Sequence, residues 1–277
     1  MEKQISALTQ ACEQLKLDYR FIDKEQNVVQ VAMPWGYEYF QIGRTPFNKE
    51  VVWGLLRDKK HSYDLFHDCV TMPQTLAFLD PSVPEEYRNY SQFDSIDAIT
   101  RNIESTLDFP VVIKPNAGAL GMGVYLCQHA SEVEQALTHI FNKQSQHYDY
   151  VALAQTFVPT QREYRLVCAF GEPVLLYQRG NIIGFNAQYW HKGEKAVHIE
   201  NATLMQRLTE FVRPIYQKLE IGFVGFDIIE SDDNTLYLIE LNSSPKFNNF
   251  IAANGSEAVI QMYVKTLNLF TQKTPRF

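Results

Sequence analysis

Residues 109–127, FPVVIKPNAGALGMGVYLC, constrain this chain more than any other stretch. A β-branched apolar run ends near Lys114, a loop carries Gly118, Gly121 and Gly123, and a second apolar run follows. Glycine reaches backbone angles that other residues resist, and its exposed N–H groups let an anion approach closely. A lysine at the end of the strand adds a fixed positive charge, so phosphate is the ligand this pairing suits. The segment is not a P-loop, because GK[ST] is missing and a strand-like run, not a helix, follows the glycines. Taken alone, the same residues describe equally well a β-hairpin with a flexible glycine tip.

A second segment weighs against that plain hairpin. Residues 221–245, IGFVGFDIIESDDNTLYLIELNSSP, are two apolar runs around a polar turn. A symmetric loop of two or four residues sets Ile229 opposite Leu236 and Asp227 opposite Leu238. Side chains alternate along each strand, so Asp227, Glu240 and Asn242 share one face. Asp227 and Glu240 become diagonal neighbours, roughly 7 Å apart at Cβ. Oxygen ligands at that spacing suit Mg²⁺ or Mn²⁺ rather than Zn²⁺. A solvated face carrying ordinary charges is the alternative. The apolar neighbours disfavour it, since unpaired acids among them are costly.

Four ordered segments extend the pattern: RDKKHSYDLFHDCVTMPQT at 57–75, VVIKP with its glycine loop, VALAQTFVPTQREYRLV at 151–167, and the acid hairpin. Together they resemble the ATP-grasp superfamily of carboxylate–amine ligases. The REYRLV and ELNSSP segments are most similar to ribosomal-protein glutamate ligases, glutathione synthetases and cyanophycin synthetases. The resemblance implies an α+β chain with the ATP-grasp fold, in which two α/β subdomains clasp ATP. It divides the chain into a short N-terminal region (1–56), a central subdomain (57–158) and a C-terminal subdomain (159–277).

By the same resemblance, Lys59 and Lys114 bind the nucleotide phosphates under the loop of Gly118, Gly121 and Gly123. Lys60 adjoins Lys59 and is the other candidate for that position. The Gln155 side chain meets the adenine amine, the Val158 N–H a ring nitrogen, and Glu163 the ribose hydroxyls; an exposed strand and loop is the alternative for Gln155 and Glu163. Arg165 contacts the phosphoryl group and Arg179 the acyl substrate; a structural salt bridge is the alternative for each arginine. Asp227, Glu240 and Asn242 hold Mg²⁺ or Mn²⁺, two ions in all.

The implied reaction joins a carboxylate to an amine through an acyl phosphate, on an amino acid, peptide or protein. A phosphotransferase, or a nucleotide-binding regulatory module without turnover, would use the same nucleotide site. No GxSxG, HExxH or Cys–His pairing suggests a protein nucleophile. Residues 180–196 depart from the glutamate-ligase pattern. They suggest a substrate-covering loop in which Lys192 holds an acidic group, or equally an ordinary surface loop with its aromatics packed beneath. Lys246, after Ser243, Ser244 and Pro245, is expected to turn toward substrate.

Composition agrees with such an enzyme. A chain of 277 residues can build a sizeable core, and its net charge of −7 argues against general nucleic-acid binding. No apolar run approaches the roughly 20 residues that span a bilayer, and the polar start is unlike a signal peptide. Cys12, Cys69, Cys127 and Cys168 form no CxxC, as expected of reduced thiols in a cytoplasmic protein. Self-association is left open.

Periodicity predicts helices at 2–17, 57–66, 95–107, 131–142, 201–219 and 256–270. Ser131 with Glu134 reads as a capping box for the fourth. Strands are predicted at VVQVAM, YEYFQI and VALAQTFV, and as a hairpin of YRLVCAF with PVLLYQRG around Gly171-Glu172.

Overall fold

The computed structural model describes residues 2–118, 120–180, 185 and 194–273. The first elements are α1 (Lys3–Gln14), β1 (Tyr19–Phe21), β2 (Val28–Met33), β3 (Gly36–Gln41), α2 (Glu50–Arg57), α3 (Lys59–Phe66) and β4 (Thr75–Leu79). After a short 3-10 turn come α4 (Ile96–Thr106), β5 (Val111–Pro115), β6 (Tyr125–Cys127), α5 (Ala130–Ile140) and β7 (Val151–Thr156). The remainder is β8 (Thr160–Ala169), β9 (Glu172–Arg179), β10 (Ala196–His198), α6 (Ala202–Lys218), β11 (Phe223–Ser231), β12 (Leu236–Asn242), α7 (Asn248–Asn254) and α8 (Glu257–Lys273).

Among the described residues the strands form three sheets, with helices packed on them. The orders are β1-β2-β3, β4-β7-β5-β6 and β10-β9-β8-β11-β12, and every paired neighbour is antiparallel. The four-stranded sheet buries Val111, Ile113 and Ala154 against Ile99 and Ile103 of α4 and Val133 and Leu137 of α5. The five-stranded sheet is covered on both faces. Leu166, Phe226, Ile228 and Leu238 meet Leu208 and Val212 of α6, with Leu56 and Phe66 of α2 and α3. Val167 and Phe223, on the opposite face, meet Ile5 and Leu8 of α1 and Tyr263 of α8. Residues 50–70, which straddle the expected boundary at 56/57, thus belong to the core of the five-stranded sheet.

Local signals explain several element ends. Ser95 caps α4 by accepting the Ala98 N–H, and Asn201 caps α6 by accepting from Leu204. The β8–β9 turn places Phe170 at φ 51 and Gly171 at φ 87, the paired left-handed residues of a two-residue hairpin. Three expectations need correction. The helix expected over 57–66 starts two residues later, at Lys59: Asp58 is extended (φ −82, ψ 111) and its carboxylate accepts the His61 N–H, so it caps α3, and Arg57 is the last residue of α2. The Ser131–Glu134 capping box does not form, because α5 starts at Ala130 with His129 at the cap. Ser131 sits inside the first turn, and its hydroxyl bonds His129 Nδ1 instead.

The third correction is the acid hairpin. Asp227 lies directly opposite Glu240, not Leu238, and Glu230 pairs with Leu236. Asn234, at φ 64, lets a three-residue tip close the turn. A bulge between the Asp227–Glu240 and Ile228–Leu238 pairs shifts the register again.

Candidate active site

Strand alternation carries a buried face out into a polar cleft. Along β8, Ala169 and Val167 lie over the core, and Arg165 and Glu163 continue the same face beyond it. Asp227 of β11 is in register with Arg165 and with Glu240 of β12, and Gly225 is in register with Asn242. Arg179 ends β9 on this side. These six polar side chains therefore meet because their strands are adjacent.

Asp227 is the centre of the group and only 1% exposed. Arg165 donates to both its oxygens at 2.5 Å, Arg179 Nη1 donates at 2.8 Å, and Asn242 Nδ2 at 3.2 Å. Arg179 Nη1 also reaches Glu163 Oε1 at 2.6 Å. Both arginines thus make the salt bridges that sequence reading kept as their alternative role. Burial pushes the Glu163 carboxyl above its usual range, with Arg179 opposing. Burial would raise Glu240 too, but Lys59, Lys114, Arg165 and Arg179 outweigh it and hold this carboxyl at about 2. Glu240 is therefore a fixed anion at neutral pH.

The two lysines come from opposite walls. Lys59, at the start of α3, lies 3.7 Å from Glu240 Oε2 and donates to the carbonyls of Asn116 (3.2 Å) and Gly118 (2.7 Å). Lys60 points away and pairs with Asp64 at 2.5 Å, so Lys59 is the residue that enters the cleft. Lys114 is buried at the end of β5 and donates to Gln155 Oε1 at 2.9 Å. Burial pushes its ammonium down to about 8, with Glu240 opposing and Lys59 adding. Gln155 Nε2 in turn donates to Thr75 Oγ1 at 2.8 Å.

The glycine loop folds over Pro115. A Cβ at Gly118 would stand 2.4 Å from Pro115 Cγ, and one at Gly123 would crowd the same ring at 3.4 Å. Gly121 and Gly123 also have φ of 66° and 69°. Asn116 fastens the base of the loop to α3: its Nδ2 donates to Asp58 Oδ2 at 2.8 Å and its Oδ1 accepts the Lys60 N–H at 2.9 Å.

Two hollows adjoin these groups. One contains Lys59, Lys114, Gly118, Gly121, Gln155, Val158, Glu163, Arg179, Asp227 and Glu240, with Phe157, Ile229 and Ile239 at its apolar end. The second is a cavity of about 690 Å³ that reaches Arg165 and Asn242 and opens toward Ser243, Ser244 and Lys246. Among the described residues, every one expected to meet nucleotide, substrate or metal borders one of them, except Lys60 and Gly123, and Gly123 only shapes the loop. The carboxylates of Asp227 and Glu240 and, once its amide turns over from the donating position it holds here, the carbonyl oxygen of Asn242 make an all-oxygen donor set, and Glu240 is ionised, so their chemistry fits a hard divalent cation. Sequence reasoning missed Asn116, Asp58 and Thr75. Asp58 next to Lys59 is a cap signal on its own, whereas the partners of Asn116 and Thr75 are distant in sequence. The expected lid residues Asn186, Tyr189, Trp190, His191, Lys192 and Gly193 lie outside the described residues.

Comparison with known proteins gives a consistent picture. A profile of the RimK-like ATP-grasp domain matches residues 86–265. A D-alanine–D-alanine ligase of Borrelia hermsii is 24% identical over 188 residues, or 62% of this chain and 50% of that protein. The corresponding enzyme of a Nitratiruptor species is 27% identical over 147 residues, covering 50% and 41%. The chain spans about half the length of the curated relatives it matches. Among solved structures, the D-alanine–D-alanine ligase of Bacillus anthracis complexed with ATP aligns with a TM-score of 0.52 at 17% identity, covering 79% of this chain and 68% of that one. The ATP-grasp ligase PsnB complexed with minimal precursor aligns at 0.52 and 14%, covering 82% and 63%. The fold is the ATP-grasp fold.

Proposed function

This chain belongs to the RimK-like ATP-grasp family, and on that premise we propose that it is an ADP-forming ligase that joins a carboxylate to an amine. The observation that carries the reading is convergence. Lys59 of α3 and Lys114 of the strand before the glycine loop reach, from opposite walls, the same hollow as Asp227 and Glu240 of the five-stranded sheet.

ATP occupies the first hollow. Phe157, Ile229 and Ile239 supply an apolar slot for adenine. The Val158 N–H faces a ring nitrogen, and the Gln155 carbonyl keeps one lone pair for the exocyclic amine beyond its bond to Lys114. Glu163 takes the ribose hydroxyls. Lys59 and Lys114 hold the phosphates beneath Gly118 and Gly121. The clasping subdomains are the four-stranded sheet with α4 and α5 and the five-stranded sheet with α6, and residues 1–70 pack on the second. Asp227, Glu240 and Asn242 would hold two Mg²⁺ or Mn²⁺ ions, which when bound offset charge on the phosphate oxygens.

In the first step an oxygen of the substrate carboxylate attacks the γ-phosphorus and ADP leaves. Arg165 and Arg179 orient the reacting groups, since a planar guanidinium matches carboxylate and phosphoryl oxygens two at a time. In the second step an amine nitrogen attacks the acyl carbon, loses a proton, and phosphate departs, leaving an amide. The substrate is an amino acid, peptide or protein, and the reduced thiols fit a cytoplasmic location.

The test is to incubate the protein with ATP, Mg²⁺ and pooled amino acids and dipeptides, and to follow ADP, phosphate and new masses. A product lighter than its two precursors by one water, formed with equimolar ADP and phosphate, is the expected result. A product gaining a phosphoryl group would make it a phosphotransferase instead. Tight ATP binding with no ADP from any substrate would make it a binding module.

A further inference from the structure

The 690 Å³ cavity has a wall that the ligase reading leaves unused. That wall comes from residues 42–57, which precede the stretch matched by the family profile. Arg44 follows a tight turn closed by reciprocal backbone bonds with Gln41, at 2.9 and 3.0 Å. Arg57 is the last residue of α2. Between them stands Trp53, with the Arg44 guanidinium carbon 4.8 Å and the Arg57 carbon 5.3 Å from its ring centroid. The indole is itself fixed, because its Nε1 donates to Ser244 Oγ at 2.8 Å. Ser244 lies two residues after Asn242, so the stack is tied to the end of the acid hairpin.

Charge on this wall is unbalanced. Arg165 and Arg179 are neutralised by Asp227 and Glu163. Among the described residues, Arg44, Arg57 and Lys246 pair with no carboxylate, and Glu240 is the single acid bordering the cavity. Stacking on an aromatic ring restricts a guanidinium without consuming its N–H donors, so both arginines are pre-organised for an anion. A cavity of this volume accommodates a small-molecule or short peptide substrate.

The geometry points to a second anion-recognition site: Arg44 and Arg57, set against Trp53, and Lys246 bind a non-reacting carboxylate or phosphate of the substrate. Its other carboxylate lies at Arg165 and Arg179. The site deepens the ligase reading and rests on it for the reacting end alone. It makes this chain selective for substrates carrying an extra anionic group, through residues 44–57 and Lys246.

Calorimetric titration of the full chain, saturated with a nonhydrolysable ATP analogue and Mg²⁺, tests this with matched probes. L-glutamate is compared with L-glutamine, and O-phospho-L-serine with L-serine. At least one anionic member should bind about tenfold or more tightly than its neutral partner, and the advantage should shrink as salt rises. Which pair shows it distinguishes carboxylate from phosphate. Arg57→Gln and Arg44→Gln should each remove most of the advantage while leaving the neutral probe unchanged. Trp53→Phe, which keeps an aromatic face, should retain part of it. Circular dichroism confirms that the variants are folded.

Equal affinity within both pairs, an advantage that survives the double arginine variant, or no binding by any probe overturns the proposal. Turnover is scored separately. Anion-selective binding without ADP release from any substrate would sink the ligase reading and leave this site standing. ADP release with neutral amino acids and no anion preference would do the reverse.

Discussion

Replacing Lys114 by methionine separates what the site costs the fold from what it gives the nucleotide. The side chain is 5% exposed, and burial has driven its ammonium from 10.5 down to about 8. That difference corresponds to about 3 kcal/mol of destabilisation at neutral pH. Methionine removes the charge at similar length. It also strips Gln155 Oε1 of its 2.9 Å donor, a loss of about 1 kcal/mol. The nucleotide-free variant should therefore gain about 2 kcal/mol, or about 3 °C in Tm for a chain of this size. The gain should depend on pH in a defined direction. The folded lysine binds its proton more weakly than the unfolded one, so the wild type carries the full cost below about pH 8. Between pH 8 and 10.5 the folded state has released the proton while the unfolded state keeps it. Wild-type stability rises through that window relative to the variant, and the variant's advantage disappears. Urea unfolding at pH 7 and pH 10, with and without ATP and Mg²⁺, reads all of this. At pH 7 the variant should unfold at higher urea and lose the nucleotide-dependent shift that the wild type shows. A variant less stable than wild type at pH 7 without nucleotide, or an advantage unchanged at pH 10, would refute the assignment of Lys114 as a charge stored for a ligand.

Asp227→Asn should abolish ADP formation, and it should also destabilise the fold by about 3–5 kcal/mol, because Arg165 and Arg179 lose their buried counter-charge; urea unfolding and ADP release measure the two effects. Gly118→Ala should raise the KM for ATP about tenfold, since its methyl meets Pro115 at 2.4 Å and displaces the loop, while the urea midpoint moves little. Asn116→Ala should also raise the KM for ATP, by releasing the tie between the loop and α3, with a stability loss of about 1–2 kcal/mol seen in urea unfolding. Chelation of divalent cations with EDTA should stop ADP release, and added Mg²⁺ or Mn²⁺, but not Zn²⁺, should restore it.

What the sequence made legible, and what it hid, follows from the range of each signal. Alternation is local, so the shared face of Glu163 and Arg165 could be read from REYRLV, and the structure places both beside Asp227. The acid hairpin shows how a wrong register can still give the right face. The three-residue tip slips the pairing by one position and the bulge slips it by one more. Side chains repeat every two residues, so two slips return Glu240 to the side of Asp227 and turn a diagonal pair into a direct one. A single slip would have put the carboxylates on opposite faces and destroyed the site. The salt bridges of Arg165 and Arg179 were legible as an alternative but could not be chosen, because both depend on which strands neighbour β8. The wall of Arg44, Trp53 and Arg57 was illegible for a stronger reason. Its geometry requires α2 to lie beside Ser244, 191 residues further along the chain, and no period or cap in residues 42–57 encodes that contact. The proposed nucleotide half of the site is thus written in short strands and turns, while the proposed substrate half is assembled by long-range packing. Selectivity can accordingly change with a few substitutions in the N-terminal region, leaving the lysines, the glycine loop and the acid hairpin untouched.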